Sequence, residues 1–329
     1  MLRNVIDMKD SIAIAGSILV DKINEISAYP KEGELTKILN VEKSVGGCVP
    51  NVAIDIKRIC PELVVKAVGK VGDDEDGEFV KQELVKHGVD IDSVSACNDK
   101  TSFTEVMSVK GGQRTFFTYL GASSKFGYED VDFEKIDAKM LHLGYLLLLD
   151  RIDNGDGVRV LKNAKKKGVI TSIDLVSENS CRYAQIIPCL PYVDNLIINE
   201  IEASGITGIE PKRENLIAMA KSLKEKGVIE RVIIHTPDVS VCVSNSGEYY
   251  LPSYELPNEF IVGTTGAGDA FCAGALVAIC ENRSDMEILE FASSVAVVAL
   301  STADATSGLC EKDKIVNSSK GFKRKNICL

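Results

Sequence analysis

The sequence Gly263-Thr264-Thr265-Gly266-Ala267-Gly268-Asp269-Ala270-Phe271, near the C-terminal end, indicates most about how this chain folds. Glycines and threonines come first, one acid follows, and an apolar run then continues to Cys280. Glycine is a poor helix former and the apolar run a good one, so the pattern predicts a glycine-rich turn that leads into a helix. Such a helix start has backbone N–H groups without acceptors and carries partial positive charge. We therefore predict an anion site here.

Asp269 has two interpretations in this turn. As a helix cap, its carboxylate would accept hydrogen bonds from first-turn N–H groups. As a general base, it would take a proton from an attacking hydroxyl while Gly266, Ala267 and Gly268 hold a phosphoryl group. Capping alone does not need the Gly-Ala-Gly run, and the mechanism needs the helix that directly follows the turn, so the pattern favours the base.

A second glycine-rich motif, Ser44-Val45-Gly46-Gly47-Cys48-Val49-Pro50-Asn51, precedes another predicted helix. Paired glycines allow the backbone to approach a ligand closely, and Pro50 suits the first turn of a helix. Asn51 would then lie in that first turn. A plain turn before a helix is the alternative interpretation.

These two motifs resemble the two signatures of the PfkB, or ribokinase-like, sugar kinases, and the resemblance covers about residues 11–310. It implies a ribokinase-like α/β fold with a central, mostly parallel sheet, helices on both faces and a small β-lid over the sugar. It also implies the site residues. These are an anion hole of Gly266, Ala267 and Gly268, the catalytic base Asp269, and sugar contacts from Asp21, Gly46, Gly47 and Asn51.

The pattern of apolar segments agrees with this fold. From Met140 onward, predicted strands alternate with predicted helices, which is typical of a parallel sheet covered on both faces. At the other end of the chain, Ser11–Val20 is predicted to be one buried strand, and Asp21 follows it directly. Ligands bind beyond the carboxyl ends of such strands, so Asp21 is either a substrate ligand or a solvated acid.

Two segments, residues 23–42 and 101–119, alternate in hydrophobicity and are predicted to form strand pairs, the second broken at Gly111-Gly112. The resemblance implies that they form the lid and also a homodimer interface, within a single domain over residues 1–329. Arg114 lies in the second segment. It is either an exposed strand residue or a substrate contact, which would favour an acidic or highly oxygenated sugar.

The cofactors implied by the resemblance are ATP and Mg²⁺. Asn199 and Glu202 follow a predicted strand and match the family's Asn-x-x-Glu, which organises Mg²⁺, although a helix cap with a first-turn acid is the alternative. Thr264 and the Gly266–Gly268 turn would contact ATP. Three departures from the family pattern limit what the resemblance implies. Leu19 argues against ribose as the substrate, and Gly263 argues against activation by a monovalent cation. His235-Thr236-Pro237 replaces the usual nucleotide loop, so the contacts of that loop do not carry over.

Composition excludes several classes of protein. The formal net charge of -10 argues against general nucleic-acid binding, and no apolar run is long enough to span a membrane. Met1 to Asp10 shows no signal-peptide pattern, so we expect a cytoplasmic protein. No Walker A motif is present, which excludes a P-loop NTPase. The ten cysteines show no C-x-x-C spacing and are predicted to be free, buried thiols.

The predicted function is therefore ATP-dependent phosphorylation of a hydroxymethyl group on a sugar or sugar-like substrate. A nucleoside kinase of the same family is the first alternative, in which Phe103, Phe116 or Phe117 would contact a purine. A non-catalytic sugar-binding relative is the second alternative, prompted by the altered His235 loop and opposed by the retained Asp269.

Overall fold

The computed structural model describes residues 11–109, 114–178, 181–302 and 304–327. The predicted break at Gly111-Gly112 lies outside these residues. The strands are β1 (Ser11–Gly16), β2 (Leu19–Ile26), β3 (Ile38–Gly46), β4 (Val64–Gly72), β5 (Asp90–Cys97), β6 (Ser102–Val109), β7 (Arg114–Tyr119), β8 (Met140–Leu146), β9 (Ile170–Leu175), β10 (Asn195–Asn199), β11 (Arg231–His235), β12 (Val239–Ser244) and β13 (Glu248–Pro252). The α-helices are α1 (Cys48–Ile59), α2 (Glu75–Lys86), α3 (Phe133–Ile136), α4 (Gly157–Lys166), α5 (Glu200–Thr207), α6 (Leu216–Glu225), α7 (Ala267–Cys280), α8 (Asp285–Ala299) and α9 (Lys312–Ser319).

The larger sheet has nine strands in the order β13-β12-β11-β10-β9-β8-β1-β4-β5. All neighbours from β11 to β5 are parallel, and only β12 and β13 at one edge pair antiparallel. The predicted, mostly parallel central sheet is therefore confirmed. The carboxyl ends of its parallel strands share one edge, which is where such sheets bind ligands.

Helices cover both faces of this sheet, as predicted. Successive residues of a strand point to opposite faces, and β1 shows the result: Ile12 and Ile14 belong to one buried cluster, whereas Ala13 and Ala15 belong to the other. Helices α1, α2, α7, α8 and α9 contribute to the first cluster, and α3 to α6 contribute to the second. Among the described helices, none is both long and apolar enough to cross a membrane.

The smaller sheet has four strands in the order β3-β2-β6-β7. Strands β2 and β3 form one antiparallel pair, β6 and β7 form the other, and β2 pairs parallel with β6. The second pair lies within the predicted segment 101–119, whereas the first overlaps the predicted segment 23–42 and extends beyond it at both ends. The small sheet begins where the larger sheet ends, because β2 follows β1 after two residues.

The prediction of one strand over Ser11–Val20 is wrong. The chain leaves the larger sheet after Gly16, whose φ is 140°, and enters β2 at Leu19. A side chain at Gly16 would overlap the Gly144 backbone of β8, so glycine is required at this break. Residues on both sides of the break are buried, and hydrophobicity therefore does not mark it. As a result, Asp21 lies within β2 of the small sheet.

Candidate active site

Helix α7 begins with an open N-terminus. Its N-cap, Gly266, has a left-handed φ of 76° and provides no side-chain cap. A side chain at Gly266 would also overlap the Ala305 backbone. The first-turn N–H groups that follow, including that of Gly268, have no acceptors within the helix. This turn therefore presents backbone donors and the positive end of the helix dipole to its surroundings, as the sequence predicted.

Asp269 lies in the first turn of α7 and is buried. Its carboxylate does not cap the helix. Instead, Oδ2 accepts a hydrogen bond of 2.9 Å from Asn51 Nδ2 of α1, and the Tyr145 hydroxyl of β8 lies 2.9 Å from both carboxylate oxygens. Three separate elements therefore hold one carboxylate beside the open helix start.

Burial raises the pKa of Asp269 to about 7. The negative charge of Asp174 raises this pKa as well, the hydrogen bonds from Asn51 and Tyr145 lower it, and Asp21 raises it. A carboxyl group with this pKa exchanges its proton near neutral pH, which is what a general base requires.

Asp21 and the paired glycines form the next part of the site. A side chain at Gly46 would overlap the Asp21 carboxylate. Gly47 has a left-handed φ of 85°, and a side chain there would overlap the Ser17 carbonyl. Both glycines are therefore needed for β3 to turn into α1 at this place. Burial raises the pKa of Asp21 to about 7, and the positive charge of Arg114 opposes that shift.

Arg114 reaches across from the small sheet to the glycine-rich turn. Its Nη1 donates to the Thr265 hydroxyl. The strand register explains this reach, because Asp21 pairs with Thr104 in β6 and Thr104 pairs with Thr118 in β7. Alternate residues of β7 share a face, so Arg114 points to the same side of the small sheet as Asp21.

Two exposed phenylalanines of β7 lie on opposite faces. Phe116 shares the face of Asp21, and Phe117 lies on the outer face. Their side chains are 57% and 60% exposed, respectively. The Phe103 ring, in contrast, stacks on Tyr119 at 5.3 Å, with the Lys22 ammonium above it. Of the three predicted aromatic contacts, Phe116 is the one that combines exposure with the Asp21 face.

Asn199 and Glu202 close the start of α5. Asn199 Oδ1 accepts from the N–H groups of Ile201 and Glu202, and Glu202 Oε2 accepts from the Asn199 N–H at 3.0 Å. Glu202 Oε1 accepts from the Ser177 hydroxyl and from Asn199 Nδ2. Burial raises the pKa of Glu202 to about 8. The structure thus shows the capping alternative formed, at the same edge of the sheet as Asp269.

His235 borders the glycine-rich turn from the end of β11. Its ring packs on Phe271 with centroids 4.8 Å apart, and burial lowers its pKa to about 4. His235 is therefore neutral at physiological pH and adds no positive charge here. A side chain built at Gly268 would meet only the His235 ring, at 3.6 Å, so packing does not require glycine at that position.

Comparison with known proteins identifies the class of this site. Residues 9–312 match the family model described as pfkB family carbohydrate kinase. The chain belongs to this family. It is therefore a carbohydrate kinase, and such enzymes transfer phosphate to a sugar hydroxyl. The residues that match the PfkB model include both glycine-rich motifs and all the side chains described above.

Relatives of this PfkB kinase differ in the activities that their names give. Ribokinase from Arabidopsis thaliana is 27% identical over 309 residues, which cover 93% of this chain and 80% of that protein. The 5-dehydro-2-deoxygluconokinase of Clostridium perfringens is 24% identical over 280 residues, covering 82% and 81%. The solved Arabidopsis ribokinase, complexed with ribose and ATP, superposes with a TM-score of 0.82 at 25% identity, covering 94% of this chain and 99% of that one.

Sequence reasoning missed two residues of the site. Tyr145 has a φ of 56°, which turns the chain near the end of β8 and directs its hydroxyl to Asp269. Asp174, at the end of β9, accepts the Tyr145 N–H at 2.6 Å. The one signal for both was their place at the carboxyl ends of neighbouring parallel strands.

Proposed function

We propose that this PfkB kinase transfers the γ-phosphoryl group of ATP to a hydroxymethyl group of a sugar or sugar-like substrate, with Asp269 as general base. The observation that carries the proposal is the pairing of an uncapped helix start with a buried carboxylate of pKa about 7 in the same turn. The carboxylate would accept the hydroxyl proton while the N–H groups hold the phosphoryl group.

The open turn suits a phosphoryl group. Gly266, Ala267 and Gly268 would supply backbone donors, and Thr264 would contact the nucleotide. Gly268 is exposed and is not needed for packing, which supports close approach by a ligand. The Arg114 guanidinium, beside Thr265, would add positive charge where negative charge develops during transfer.

Substrate hydroxyls would bind between the two sheets. The Asp21 carboxylate would accept from sugar hydroxyls, and Gly46 and Gly47 let the backbone come close to the ligand. Asn51 links this region to the base, because its Nδ2 binds Asp269 while its Oδ1 has no hydrogen-bond partner among the described residues. A buried polar atom without a partner is costly, so Oδ1 is a candidate acceptor for a substrate hydroxyl.

Asn199 and Glu202 suit Mg²⁺ only through water molecules bound to the ion. Asn199 and Glu202 would not ligate the ion directly, because the hydrogen bonds of the capping box occupy their oxygens. Mg²⁺ commonly keeps several waters beside nucleotide phosphates. We propose that the two side chains contact that hydrated ion, which would neutralise phosphate charge.

This metal contact can be tested with Glu202→Gln. The amide can still accept from the Asn199 N–H, so the cap and the melting temperature are retained. Loss of a contact to the hydrated ion predicts a rise of about tenfold in the Mg²⁺ concentration for half-maximal rate. An unchanged Mg²⁺ requirement would assign Asn199 and Glu202 to capping alone.

The kinase assignment is tested by ADP release with ATP and Mg²⁺ over a panel of sugars, keto-acid sugars and nucleosides. We expect turnover on one class, and we expect Asp269→Asn to lower kcat by about 10³-fold. Asp285→Asn is the matched control, since Asp285 is also a buried first-turn aspartate but pairs with Arg231 at the amino end of β11. This control retains turnover.

Two results would contradict the proposal. Turnover that survives Asp269→Asn would remove the base assignment. No ADP release with any compound of the panel, while sugars still raise the melting temperature, would support the sugar-binding alternative.

The nucleoside alternative rests on Phe116. Its exposed ring on the Asp21 face could stack on a purine. For a nucleoside kinase, Phe116→Ala lowers the ratio of nucleoside to sugar kcat/KM by about tenfold or more. Phe117→Ala, on the opposite face, leaves that ratio unchanged. Equal ratios in both variants would exclude stacking by Phe116.

We also propose a homodimer through the small sheet. Its outer surface carries exposed apolar side chains, including Phe117, Leu39 and Val41. Exposed apolar side chains on one sheet face are typical of an interface. Light scattering should give the mass of a dimer for the parent protein and a lower average mass for Phe117→Asp. A monomeric parent would contradict this interface.

A further inference from the structure

Four side chains from four elements converge beneath the active site. They are Cys48 at the start of α1, His142 of β8, Asp174 of β9 and Cys272 of α7, and all four are buried. One donor atom from each of Cys48, His142 and Asp174 lies within 4.8 Å of the others. Cys272 Sγ lies 3.7 Å from His142 Nε2. No other such trio of His, Cys, Asp or Glu occurs in the described part of the chain.

Two separations within the cluster match those of ligands around one ion. His142 Nε2 lies 3.5 Å from Asp174 Oδ2, which is too long for a normal N–H···O hydrogen bond. Tetrahedral zinc, with bonds of about 2.0–2.3 Å, places neighbouring ligand atoms about 3.3–3.8 Å apart. The distances of 3.5 Å and 3.7 Å at His142 both fall in this range.

Neighbouring groups orient the two polar donors. His142 Nδ1 lies 3.1 Å from the Ser172 hydroxyl, which leaves Nε2 directed at the cluster. Asp174 Oδ1 accepts from the Tyr145 N–H at 2.6 Å, which leaves Oδ2 on the side of His142. Such outer hydrogen bonds fix ligand orientation at metal sites. Gly144 contributes space, because any side chain there would overlap Cys48 Sγ and approach Asp174.

The surrounding charge also favours a cation. The cluster contains a buried carboxylate, Asp174, grouped with His142 and the Cys48 thiol, and Cys272 is buried beside them. This carboxylate gives the cluster negative potential in a region closed to water. A divalent cation would offset this potential and release the thiol protons. The alternative is that the cysteines act only as small apolar residues in the core.

We propose that Cys48, His142, Asp174 and Cys272 form a buried site for Zn²⁺. Sulfur and imidazole donors select Zn²⁺ over Mg²⁺, which prefers oxygen ligands, so this site is chemically distinct from the proposed nucleotide-bound ion. It lies behind the Asp269 carboxylate and would stabilise the junction of α1, α7, β8 and β9. The proposal does not depend on the substrate or on phosphoryl transfer.

The test measures metal content and cobalt absorption of the full chain. The parent protein, exposed to Zn²⁺ alone and then dialysed, should retain about one zinc per chain. Co²⁺ alone should give the intense visible bands of a tetrahedral site and a thiolate charge-transfer band. Cys272→Ser and Cys48→Ala should lose these bands and retain well under half of the zinc. Cys242→Ala is the matched control, because Cys242 is equally buried outside the cluster and should keep both.

The parent protein makes the test independent of whether the variants fold. If the unaltered chain retains no Zn²⁺ and gives no tetrahedral Co²⁺ spectrum, the proposal is overturned. It is also overturned if folded Cys272→Ser and Cys48→Ala retain as much zinc as Cys242→Ala. A fall in the parent's melting temperature on chelation, absent in folded Cys272→Ser, would support the site.

Discussion

Helices α5 and α7 start at the same edge of the larger sheet, but their N-termini are capped differently. At α5, Asn199 and Glu202 satisfy the first N–H groups with their own side chains. At α7, the N-cap is Gly266 and no side chain caps the turn, although Asp269 occupies the position that Glu202 has in α5. In both helices, therefore, the third residue is a buried acid, but only α5 uses it as a cap.

The difference shows how to separate a structural helix start from a ligand-binding one. A carboxylate that bonds its own N-cap amide completes the helix and leaves little for a ligand. A carboxylate that is held away by Asn51 and Tyr145 leaves the N–H groups open and keeps its own proton exchangeable. The predictions below test this contrast from the largest expected effect to the smallest.

After the loss of kcat expected for Asp269→Asn, the largest effect is expected from alanine at the two glycines of the open start. Gly268→Ala adds a methyl group that meets only His235, so the melting temperature should hold while kcat falls about 10²-fold through displacement of the phosphoryl group. Gly266→Ala forces a left-handed residue against Ala305 and should lose about 2 kcal/mol of stability as well. Melting curves and initial rates distinguish the two variants. Destabilisation by Gly268→Ala as large as that by Gly266→Ala would contradict an open turn at Gly268.

Asp269→Asn should stabilise the protein at alkaline pH. The pKa of Asp269 is raised from 3.8 to about 7 in the folded state, so folding is opposed as pH rises through this window and remains so above it. The amide removes that opposition, and about 4 kcal/mol should appear at about pH 8 and largely vanish below about pH 4. Asp285→Asn should show the opposite sign. Burial acts to raise the pKa of Asp285, but hydrogen bonds from Ser244 and Ser246 and the pairing with Arg231 together lower it.

Tyr145→Phe should move the pH dependence of the reaction. The phenol donates to the Asp269 carboxylate, so its removal disfavours the charged base and raises the pKa of Asp269. The rising limb of kcat/KM should shift by about one pH unit to the alkaline side. Tyr254→Phe, whose hydroxyl contacts Ser294 instead, is the control and should not shift it. An unshifted pH profile for Tyr145→Phe would show that the Tyr145 hydroxyl does not influence the pKa of the catalytic base.

The smallest effect is expected at the closed start. Asn199→Ala removes the side-chain acceptor for two N–H groups of α5 and should lower stability by about 1 kcal/mol. Chemical denaturation measures this value. A loss of kcat as large as that of Gly268→Ala would mean that the two helix starts are not as different as the hydrogen bonds indicate.

Much of this contrast could be predicted from local sequence. Gly266–Asp269 and Gly46–Asn51 each contain their own signal, because a glycine-rich turn and its helix are neighbours in the chain. The parallel sheet follows from strands that alternate with helices. Asn199 and Glu202 allowed both interpretations, since the same spacing serves a capping box and a metal contact.

What could not be predicted depends on long-range geometry. The break between β1 and β2 lies among buried residues, and Gly16 is needed there only because Gly144 of β8 approaches it. Tyr145 reaches Asp269 through a left-handed turn that hydrophobic periodicity does not report. The cysteine, histidine and aspartate cluster comes from four distant segments, so no spacing in the sequence marks it.

The most direct measurement is the pH dependence of kcat/KM for the parent protein on its best substrate. A buried base with a pKa of about 7 predicts that log kcat/KM rises with a slope of about one below pH 7 and levels above it. A profile that is flat from about pH 5 to about pH 9 would contradict Asp269 as the base at the open helix start.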